Sequence, residues 1–352
     1  MNDYSIALIP GDGIGCEVTG PCVAVLERAA SMFNFALAWH EYPWSCEHYV
    51  KTGRMMPVDG LEQIRDTAAI LLGAVGFPGV PDHISLWNLL LPIRRGFNQY
   101  VNLRPVRKLP GVRSPLRADL AEAIDYLIVR ENTEGEYSDQ GAWLAKGKEA
   151  ETVIQHGIFT RKGVDRIFRY GFDLARRERR RLDWATKSNG IYVSMPYWDE
   201  RGGQAASEYP DVAAGKYHID ILAAHLIQRP SSFGVIVASN LMGDILSDLG
   251  SASVGPIGLA PSANINPERI YPSMFEPVHG SAPDIAGQSV ANPVGMIWSG
   301  AMMLSHLGEE RAAAAIVRAI ERVLAGGPYT RDLGGTATTE EMASAIGQAL
   351  AG

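Results

Sequence analysis

The sequence is short of several features that mark whole classes of protein. Its 352 residues include only three cysteines, Cys16, Cys22 and Cys46, and their spacing fits neither a disulfide framework nor a metal site. No run approaches the roughly 18 apolar residues that a membrane span requires. The first residues also lack the basic stretch and apolar run of a signal peptide. We therefore expect a cytoplasmic protein in a reducing setting, without a membrane partner.

Positive charge is also scarce. The 39 acidic residues outnumber the 32 lysines and arginines, and the formal net charge is −7 at pH 7. Such a balance does not favour binding to nucleic acid. The basic run at residues 176–181 closes an amphipathic helix, where the helix dipole stabilises cations. A small anionic substrate would therefore need a local cluster of arginines.

Apolar runs alternate with helical patterns along the chain. Four runs are typical of buried strands, and they span residues 5–9, 68–72, 126–129 and 233–238. The length suits two domains or one large α/β domain. The alternation predicts an α/β fold with a largely parallel sheet covered by helices. Such folds bind ligands at the carboxyl ends of their strands, so the loops after these runs are the places to look for a site.

Two aspartates follow the fourth strand at a spacing that places them on one helical face. Asp244 and Asp248 are four residues apart, so their charges repel unless a cation lies between them. Asp220 lies near the start of another predicted helix. Oxygen ligands without a neighbouring His or Cys cluster favour Mg²⁺ or Mn²⁺. The spacing alone is equally compatible with a pair of acids that interacts with the helix dipole.

Three arginines and two further polar residues lie near predicted strand ends. Arg94, Arg104 and Arg130 carry guanidinium groups, which bind carboxylates in a two-pronged geometry. Tyr137 and Lys187 lie in polar loops that follow strands. A lysine near a metal ion or arginines can act as a base. Taken singly, each of these residues is equally typical of a protein surface.

Taken together, these segments resemble the β-decarboxylating dehydrogenase family, which includes isopropylmalate, isocitrate, tartrate and D-malate dehydrogenases. The matching stretches follow in order between residue 5 and about residue 340: IPGDGIG at 9–15, NLRP at 102–105, RENTEG at 130–135, GDILSD at 243–248, EPVHGSAPD at 276–284 and DLGG at 332–335. Within the family, PDHISLW at 81–87 and KSNG at 187–190 are similar to the branch of tartrate and D-malate dehydrogenases.

The resemblance implies an isopropylmalate dehydrogenase-like, two-domain α/β fold with a mostly parallel mixed sheet, which is not a Rossmann fold. A discontinuous cofactor-binding domain would comprise residues 1–101 and 256–352. A central domain, residues 102–255, would carry the dimer interface and most catalytic residues.

The resemblance also implies a role for each candidate. Lys187 would assist removal of the hydroxyl proton while hydride passes to NAD⁺, and Tyr137 would protonate the enolate carbon after CO₂ leaves. Three carboxylates would hold Mg²⁺ or Mn²⁺: Asp220, Asp244 and Asp248. Three arginines and two residues facing the substrate's C3 group would form the substrate site: Arg94, Arg104, Arg130, Trp87 and Leu90. Lys187 and Asp220 are expected from the second subunit of a homodimer, so the active sites would be shared.

The implied cofactor is NAD. The family's cofactor positions match one set of residues here: Gly73, Asn189, His279, Gly280, Ser281, Ala282, Asp284 and Asn292. The acid at Asp284 would bond the adenosine ribose and repel the 2′-phosphate of NADP, by the same physics as the ribose acid of Rossmann folds.

The implied activity is metal-dependent oxidation of a small 2-hydroxy dicarboxylate, either D-malate, with decarboxylation to pyruvate and CO₂, or tartrate, or both. 3-Isopropylmalate stays open as the substrate, because Leu90 and Leu91 can accept an alkyl group and one methylene is worth only about 1–3 kcal/mol. Isocitrate is disfavoured, since residues 87–91 add no basic residue for its third carboxylate. An alternative of another class is a non-catalytic regulatory subunit on the same fold, but Tyr137, Lys187 and the three aspartates favour an enzyme.

Overall fold

The computed structural model describes residues 2–351. Met1 and Gly352, the outermost residues of the predicted first domain, lie outside the described residues. The strands are β1 (Asn2–Gly11), β2 (Phe35–Glu41), β3 (Ala69–Ala74), β4 (Val101–Arg107), β5 (Asp125–Glu131), β6 (Gly141–Leu144), β7 (Thr152–Gln155), β8 (Leu182–Thr186), β9 (Ala214–His218), β10 (Val235–Ala238), β11 (Pro261–Ile265) and β12 (Ser273–Pro277).

The α-helices surround these strands. They are α1 (Ile14–Phe33), α2 (Cys46–Thr52), α3 (Gly60–Ile64), α4 (Asp82–Ser85), α5 (Leu91–Gly96), α6 (Ala118–Ala121), α7 (Arg161–Glu178), α8 (Ser194–Glu208), α9 (Ile219–Gln228), α10 (Asn240–Val254), α11 (Val294–Leu307), α12 (Glu310–Gly326) and α13 (Thr339–Ala349). A π-helical turn at Leu86–Leu90 joins α4 to α5, and short 3₁₀ turns lie at Pro230–Ser232, Ile257–Leu259 and Arg331–Leu333.

Ten strands form one mixed sheet in the order β2-β1-β3-β12-β11-β4-β5-β10-β8-β9. Both outer parts of the sheet are parallel, and the antiparallel pairs β12–β11, β11–β4 and β4–β5 are adjacent in its middle. Each of the four predicted strands overlaps a strand of this sheet. The predicted α/β fold with a mostly parallel mixed sheet is therefore confirmed.

Strand β1 shows why both faces of the sheet need helices. Ile6 and Leu8 pack into one apolar cluster, while Ala7 and Ile9, which alternate with them, pack into a second. Successive side chains of a strand point to opposite faces, so this uninterrupted apolar run is buried on both sides, as parallel strands generally are. Helices α1 and α11 pack against the first face.

The sheet brings three segments with predicted site residues to one edge. Strand β10 pairs in parallel with β5 on one side and with β8 on the other. The carboxyl ends of these three strands therefore lie side by side. The chain continues from them into the loop at residues 132–140, into α10 and into the loop at residues 187–193. These segments contain most of the predicted catalytic residues.

Two further features concern the surface. Strands β6 and β7 form an antiparallel hairpin outside the main sheet, and the side chains along both strands are exposed. Among residues 2–351, no helix combines the length and the apolar character that crossing a membrane requires.

Candidate active site

Side chains from three elements meet around the carboxylate of Asp244. Arg104 from β4 and Arg130 near the end of β5 both donate to its Oδ1 atom, at 3.1 and 2.5 Å. The hydroxyl of Tyr137, in the loop after β5, donates to Oδ2 at 3.2 Å. Asp244 itself lies near the start of α10. We call these four residues the Asp244 cluster; the structure brings them together from positions up to 140 residues apart in sequence.

Contacts of β4 and β5 with α10 hold the Asp244 cluster in place. The Nε and Nη2 atoms of Arg130 both donate to Oδ1 of Asn240, at 3.1 and 2.7 Å. Nη1 of Arg104 also donates to Oγ of Ser247 at 2.7 Å. Gly243 allows α10 to approach β5, because a Cβ at this position would lie 2.7 Å from Cβ of Arg130. A larger residue there would push the helix outward and take the carboxylate with it.

The third predicted arginine, Arg94, is buried and has a partner of its own. Its Nη2 atom donates to Oε1 of Glu276 at 2.7 Å, and both side chains are about nine-tenths buried. Nδ2 of Asn264 donates to the same Glu276 oxygen at 2.7 Å. A buried charge requires such a partner because of its desolvation cost. Glu276 therefore holds Arg94 in a defined orientation beside the cluster.

The charges of the cluster act on one another. Burial by itself would raise the pKa of Asp244, but the charges of the three arginines outweigh it and the pKa is lowered. Burial and repulsion by Arg104 lower the pKa of Arg130 to about 10. Burial and the charge of Asp244 raise the pKa of Tyr137. At neutral pH the site therefore holds a carboxylate, cationic arginines and a phenol that retains its proton.

Asp248 lies one turn after Asp244 on the same helix and is more open to solvent. Its Oδ1 atom is 3.5 Å from Nη1 of Arg104, and its side chain is 57% exposed. Among residues 2–351, no three His, Cys, Asp or Glu side chains are grouped closely enough to hold a metal ion. Two carboxylates from α10 fit a hard cation such as Mg²⁺ or Mn²⁺. The rest of its ligand set must then come from substrate, water or another chain.

Lys187 and Asp220 form a separate pair. Nζ of Lys187, in the loop after β8, lies 2.8 Å from Oδ2 of Asp220, in the first turn of α9. Hydrogen bonding from Lys187 lowers the pKa of Asp220. The structure thus brings these two predicted residues together, but it does not group Asp220 with Asp244 and Asp248 in one chain.

The two residues predicted to face the C3 group of the substrate lie on a distorted helical run, and we call them the substrate wall. Trp87 and Leu90 belong to the π-helical turn that precedes α5, and both side chains are partly buried. Turns of this kind occur frequently at functional sites. The buried Arg94 follows on α5, so the substrate wall and Arg94 lie on one continuous helical run. The guanidinium carbon of Arg95 lies 5.0 Å from the centre of a Trp87 ring, a cation–π contact.

A cavity of about 370 Å³ lies beside the loop that follows β12. It is lined mainly by Ile14, Ile257, His279, Ala282, Ile285, Asn292 and Asp332. Nε2 of His279 is buried and has no hydrogen-bond partner among residues 2–351. Burial lowers the pKa of His279, so its imidazole is neutral at pH 7. A mostly apolar cavity with one unpaired ring nitrogen fits a heteroaromatic ring such as the adenine of NAD.

Comparison with known proteins identifies the family. Residues 5–346 match the model of the isocitrate/isopropylmalate dehydrogenase family. The chain belongs to this family. It is 56% identical to D-malate dehydrogenase (decarboxylating) of Escherichia coli strain K12, with 98% of each chain covered. It is 54% identical to tartrate dehydrogenase/decarboxylase of Pseudomonas putida, with 99% of this chain and 98% of the relative covered.

The fold agrees with the sequence match. The crystal structure of an isocitrate dehydrogenase from Methylococcus capsulatus superposes on this chain with a TM-score of 0.88 at 35% identity, covering 99% of both chains. The predicted family, fold class and enzyme character of this dehydrogenase are therefore confirmed. The alternative of a non-catalytic subunit is set aside.

In this dehydrogenase the predicted cofactor residues fall into two groups. Most lie in the 276–292 region, where three of them line the cavity: His279, Ala282 and Asn292. Gly280 and Ser281 belong to the same loop, and the carbonyl of Ser281 accepts a hydrogen bond from the backbone N–H of Ile14 at 2.9 Å. Asp284 is exposed and lies outside the cavity lining. Its predicted contact with ribose stays a prediction.

The remaining two cofactor candidates lie elsewhere. Gly73 packs beneath the turn after β1, because a Cβ there would lie 2.3 Å from the carbonyl oxygen of Pro10. Because glycine has no side chain, the turn can pack closely against this position. Asn189 is exposed in the loop of Lys187, and it does not line the cavity. The cofactor roles of both residues stay predictions.

Sequence reasoning missed three polar residues of the site. Glu276 stands in a recognised motif but received no role, although it pairs with Arg94. Asn240 precedes the GDILSD motif and orients Arg130. Arg95 neighbours a predicted arginine and contacts the wall. Glu276 and Asn240 act through partners distant in sequence, and Arg95 meets Trp87 only through the π-helical turn, so regular spacing contained no signal for any of them.

Proposed function

We propose that this dehydrogenase oxidises a small 2-hydroxy dicarboxylate with NAD, in the presence of Mg²⁺ or Mn²⁺. D-malate would be converted to pyruvate and CO₂, and tartrate would be a second substrate. The observation that carries the proposal is the Asp244 cluster, in which two arginines, a carboxylate and a protonated phenol converge beside Arg94. The relatives named above act on D-malate and tartrate, which supports this choice of substrates.

The arginines account for binding of a dianion. Arg104 and Arg130 are buried cations that share one carboxylate partner, Asp244. The incoming substrate carboxylates would take up guanidinium donors and leave the Asp244 oxygens free to bind the cation with Asp248. Bound Mg²⁺ or Mn²⁺ supplies Lewis-acid stabilisation of negative charge on the substrate oxygen, and bound NAD⁺ accepts hydride.

We assign the last step of the reaction to Tyr137. Loss of CO₂ leaves an electron pair at C3 of the substrate, and that carbon must receive a proton. The raised pKa of Tyr137 keeps its hydroxyl protonated at neutral pH, so the proton is available for transfer. The guanidinium carbon of Arg130 lies 5.8 Å from the centre of the Tyr137 ring, where its charge favours the phenolate that remains.

We also propose a homodimer with shared active sites, in which Lys187 and Asp220 act in the partner's site. Exposed apolar side chains support this arrangement: Ile191, Tyr192, Val193, Ile221, Leu241 and Ile245, with Trp143, Leu144, Val153 and Ile154 on the β6–β7 hairpin. Apolar surface of this extent is typical of a binding interface. Ile221 follows Asp220, and Ile245 lies between the α10 aspartates. A partner that covers these residues would approach the carboxylates.

The cofactor proposal rests on the cavity at His279 and on Asp284. The cavity would take the adenine, and Asp284 on its outer side would disfavour the phosphate of NADP by charge repulsion. We further propose that residues 1–101 and 256–352 act as the cofactor-binding domain and residues 102–255 as the central domain.

The proposed function is tested by turnover on a panel of acids. NAD or NADP reduction is followed with Mn²⁺ on D-malate, L-tartrate, meso-tartrate, 3-isopropylmalate and isocitrate, with and without EDTA. We expect chelator-sensitive activity with NAD, highest on D-malate, and pyruvate as product. A preference for 3-isopropylmalate would leave the reaction type intact and contradict the small-substrate proposal. Turnover that survives EDTA would contradict the metal requirement.

A further inference from the structure

Arg95 occupies an unusual position beside the proposed site. It follows Arg94 on α5 but makes different contacts. Its Nη2 atom donates to the backbone carbonyl of Tyr137, the proposed proton donor. Its guanidinium carbon lies 5.0 Å from the Trp87 ring centre. One half-buried cation therefore touches both the substrate wall and the backbone of the general acid.

The π-helical turn explains how Trp87 and Arg95 meet. These residues are eight positions apart, and in a regular α-helix of 3.6 residues per turn their side chains would differ in direction by about 80°. The turn at Leu86–Leu90 absorbs one extra residue, as shown by the hydrogen bond from the N–H of Leu91 to the carbonyl of Leu86. A five-residue hydrogen-bond step of this kind brings positions eight apart onto nearly the same face.

Several other contacts hold the loop that contains Tyr137: next to it, Ser138 donates to the carbonyl of His156, and the carbonyl of Ser138 accepts from Nε2 of Gln155 at 2.7 Å. Glu136 is anchored to the start of α10, where it accepts hydrogen bonds from Ser239 Oγ at 2.6 Å and from the N–H of Leu241 at 3.1 Å. Gly135 is bridged to Ile158. Those contacts attach the loop to the central segment. The bond from Arg95 attaches the backbone of Tyr137 itself to the helical run that contains Trp87.

The Arg95 guanidinium makes its two contacts with different parts of the group, its face with Trp87 and its edge with Tyr137. Its Nε atom is buried and has no hydrogen-bond partner among residues 2–351. A guanidinium group is planar, so it can lie against an aromatic ring while its edge donates to a carbonyl. A lysine ammonium can keep the donation but loses the flat contact.

We propose that Arg95 is a positioning residue that links the Trp87 wall to Tyr137 and sets the placement of the proton donor. The proposal rests on the proposed function and deepens it.

The test compares Arg95→Met and Arg95→Lys with a matched control. Arg65→Met is that control, because Arg65 also lies over an aromatic ring, 5.4 Å from the centre of Tyr271, and its side chain is 45% exposed at the end of a helix. The first readout is amide hydrogen exchange of residues 132–140 in the ligand-free protein, which is independent of any substrate. The second is the exchange of pyruvate methyl protons with deuterated solvent, a partial reaction that needs Tyr137 but no hydride transfer.

We expect Arg95→Met to raise amide exchange across residues 132–140 at least threefold and to slow pyruvate proton exchange at least tenfold. KM for D-malate should change less than threefold, since the carboxylate-binding arginines are untouched. Arg95→Lys should recover part of both losses, and Arg65→Met should leave both readouts within twofold of the unmodified protein.

Two results overturn the inference. Unchanged amide exchange in Arg95→Met would show that Arg95 does not hold the loop. Amide exchange could also rise in Arg95→Met while pyruvate proton exchange stays within twofold of the unmodified protein. That result would show that holding the loop does not affect proton transfer. If the unmodified protein turned over none of the acids, the proposed function would fail and the amide exchange would still decide whether Arg95 holds the loop.

Discussion

At the scale of single residues, environment decides what each side chain can do. Asp244 and Asp248 are the same residue type one helical turn apart, but Asp244 contacts two arginines and a tyrosine, whereas Asp248 is mostly exposed. Tyr137 keeps its proton because burial and a carboxylate both disfavour the phenolate. The proposed roles are metal binding for the two aspartates and proton donation for Tyr137. These roles depend on the contacts of each side chain and are not fixed by residue type alone.

The role of Tyr137 is tested by removing one oxygen. Tyr137→Phe should reduce pyruvate formation from D-malate at least about 100-fold, because a positioned acid contributes 10²- to 10⁴-fold to such a reaction. KM should change little, since the hydroxyl contacts Asp244 and not the arginines. Steady-state assays of NADH and pyruvate measure both quantities.

Tyr329→Phe is the control for that experiment. It also removes a hydroxyl that donates one hydrogen bond, to the carbonyl of Leu324 at 3.1 Å, but outside the candidate site. Its activity should stay within twofold of the unmodified protein. Equal loss in both variants would show that the effect of Tyr137→Phe reflects the fold and not proton transfer.

At the scale of elements, the loop of Lys187 depends on how α8 docks against the sheet. Asp199 of α8 accepts hydrogen bonds from Trp184 and Thr186 of β8, at 3.2 and 2.9 Å, and from Lys216 of β9 at 3.1 Å. The loop at residues 187–193 joins β8 to α8. Asp199 therefore holds together the two ends of that loop.

Asp199→Asn should destabilise the protein at pH 7 by about 1.5–3 kcal/mol, the usual value of hydrogen bonds to a charged group. Chemical denaturation measures this difference. Burial by itself would raise the pKa of Asp199, but its hydrogen bonds lower it. The charged form thus stabilises the fold above the unfolded pKa of about 3.9, and this stabilisation is lost as the pH falls further. The cost of the substitution should therefore be smaller at pH 3 than at pH 7.

The exposed Asp66 provides the matched control. Asp66→Asn makes the same chemical change on the surface, where substitutions usually alter stability by no more than about 0.5 kcal/mol. A cost for Asp199→Asn that stays constant between pH 3 and pH 7 would refute the role of its charge.

At the scale of the whole molecule, the candidate residues form two groups within one chain. The Asp244 cluster joins β4, β5 and the loop after β5 to α10, and Lys187 and Asp220 form a separate pair. Apolar residues on α9, α10 and the β6–β7 hairpin are exposed, and we propose that a second copy covers them. A homodimer of the proposed kind would complete both sites by symmetry.

Mixed dimers test this arrangement. Lys187→Met and Tyr137→Phe should each be nearly inactive alone. After the two variants are unfolded and refolded together, random pairing should restore about one quarter of the unmodified activity, because half of the dimers would contain one intact site out of two. Sedimentation should show dimers throughout. If mixing restores nothing, Lys187 acts within its own chain or not at this site.

The sequence predicted features that depend on local contacts better than features that depend on partners distant in sequence. Apolar periodicity is local, so the strands at residues 5–9 and 126–129 were predicted correctly, and the motif at 243–248 was correctly placed on a helix. The π-helical turn at Leu86–Leu90 was not predicted, because its apolar residues are equally compatible with a regular helix. Glu276 received no role because its partner, Arg94, is 182 residues away.

The sequence by itself determined the α/β class, through local periodicity, and the family, through the order of motifs that resemble it. That resemblance also named the arginines, the tyrosine and the α10 aspartates as candidates, and their roles stay predictions. Only the tertiary structure decided that Asp244 is shared by Arg104, Arg130 and Tyr137, and that Arg95 joins the Trp87 wall to the Tyr137 loop. Such contacts arise where the sheet aligns strand ends from distant parts of the chain, and the pairing of those strands depends on packing over the whole fold.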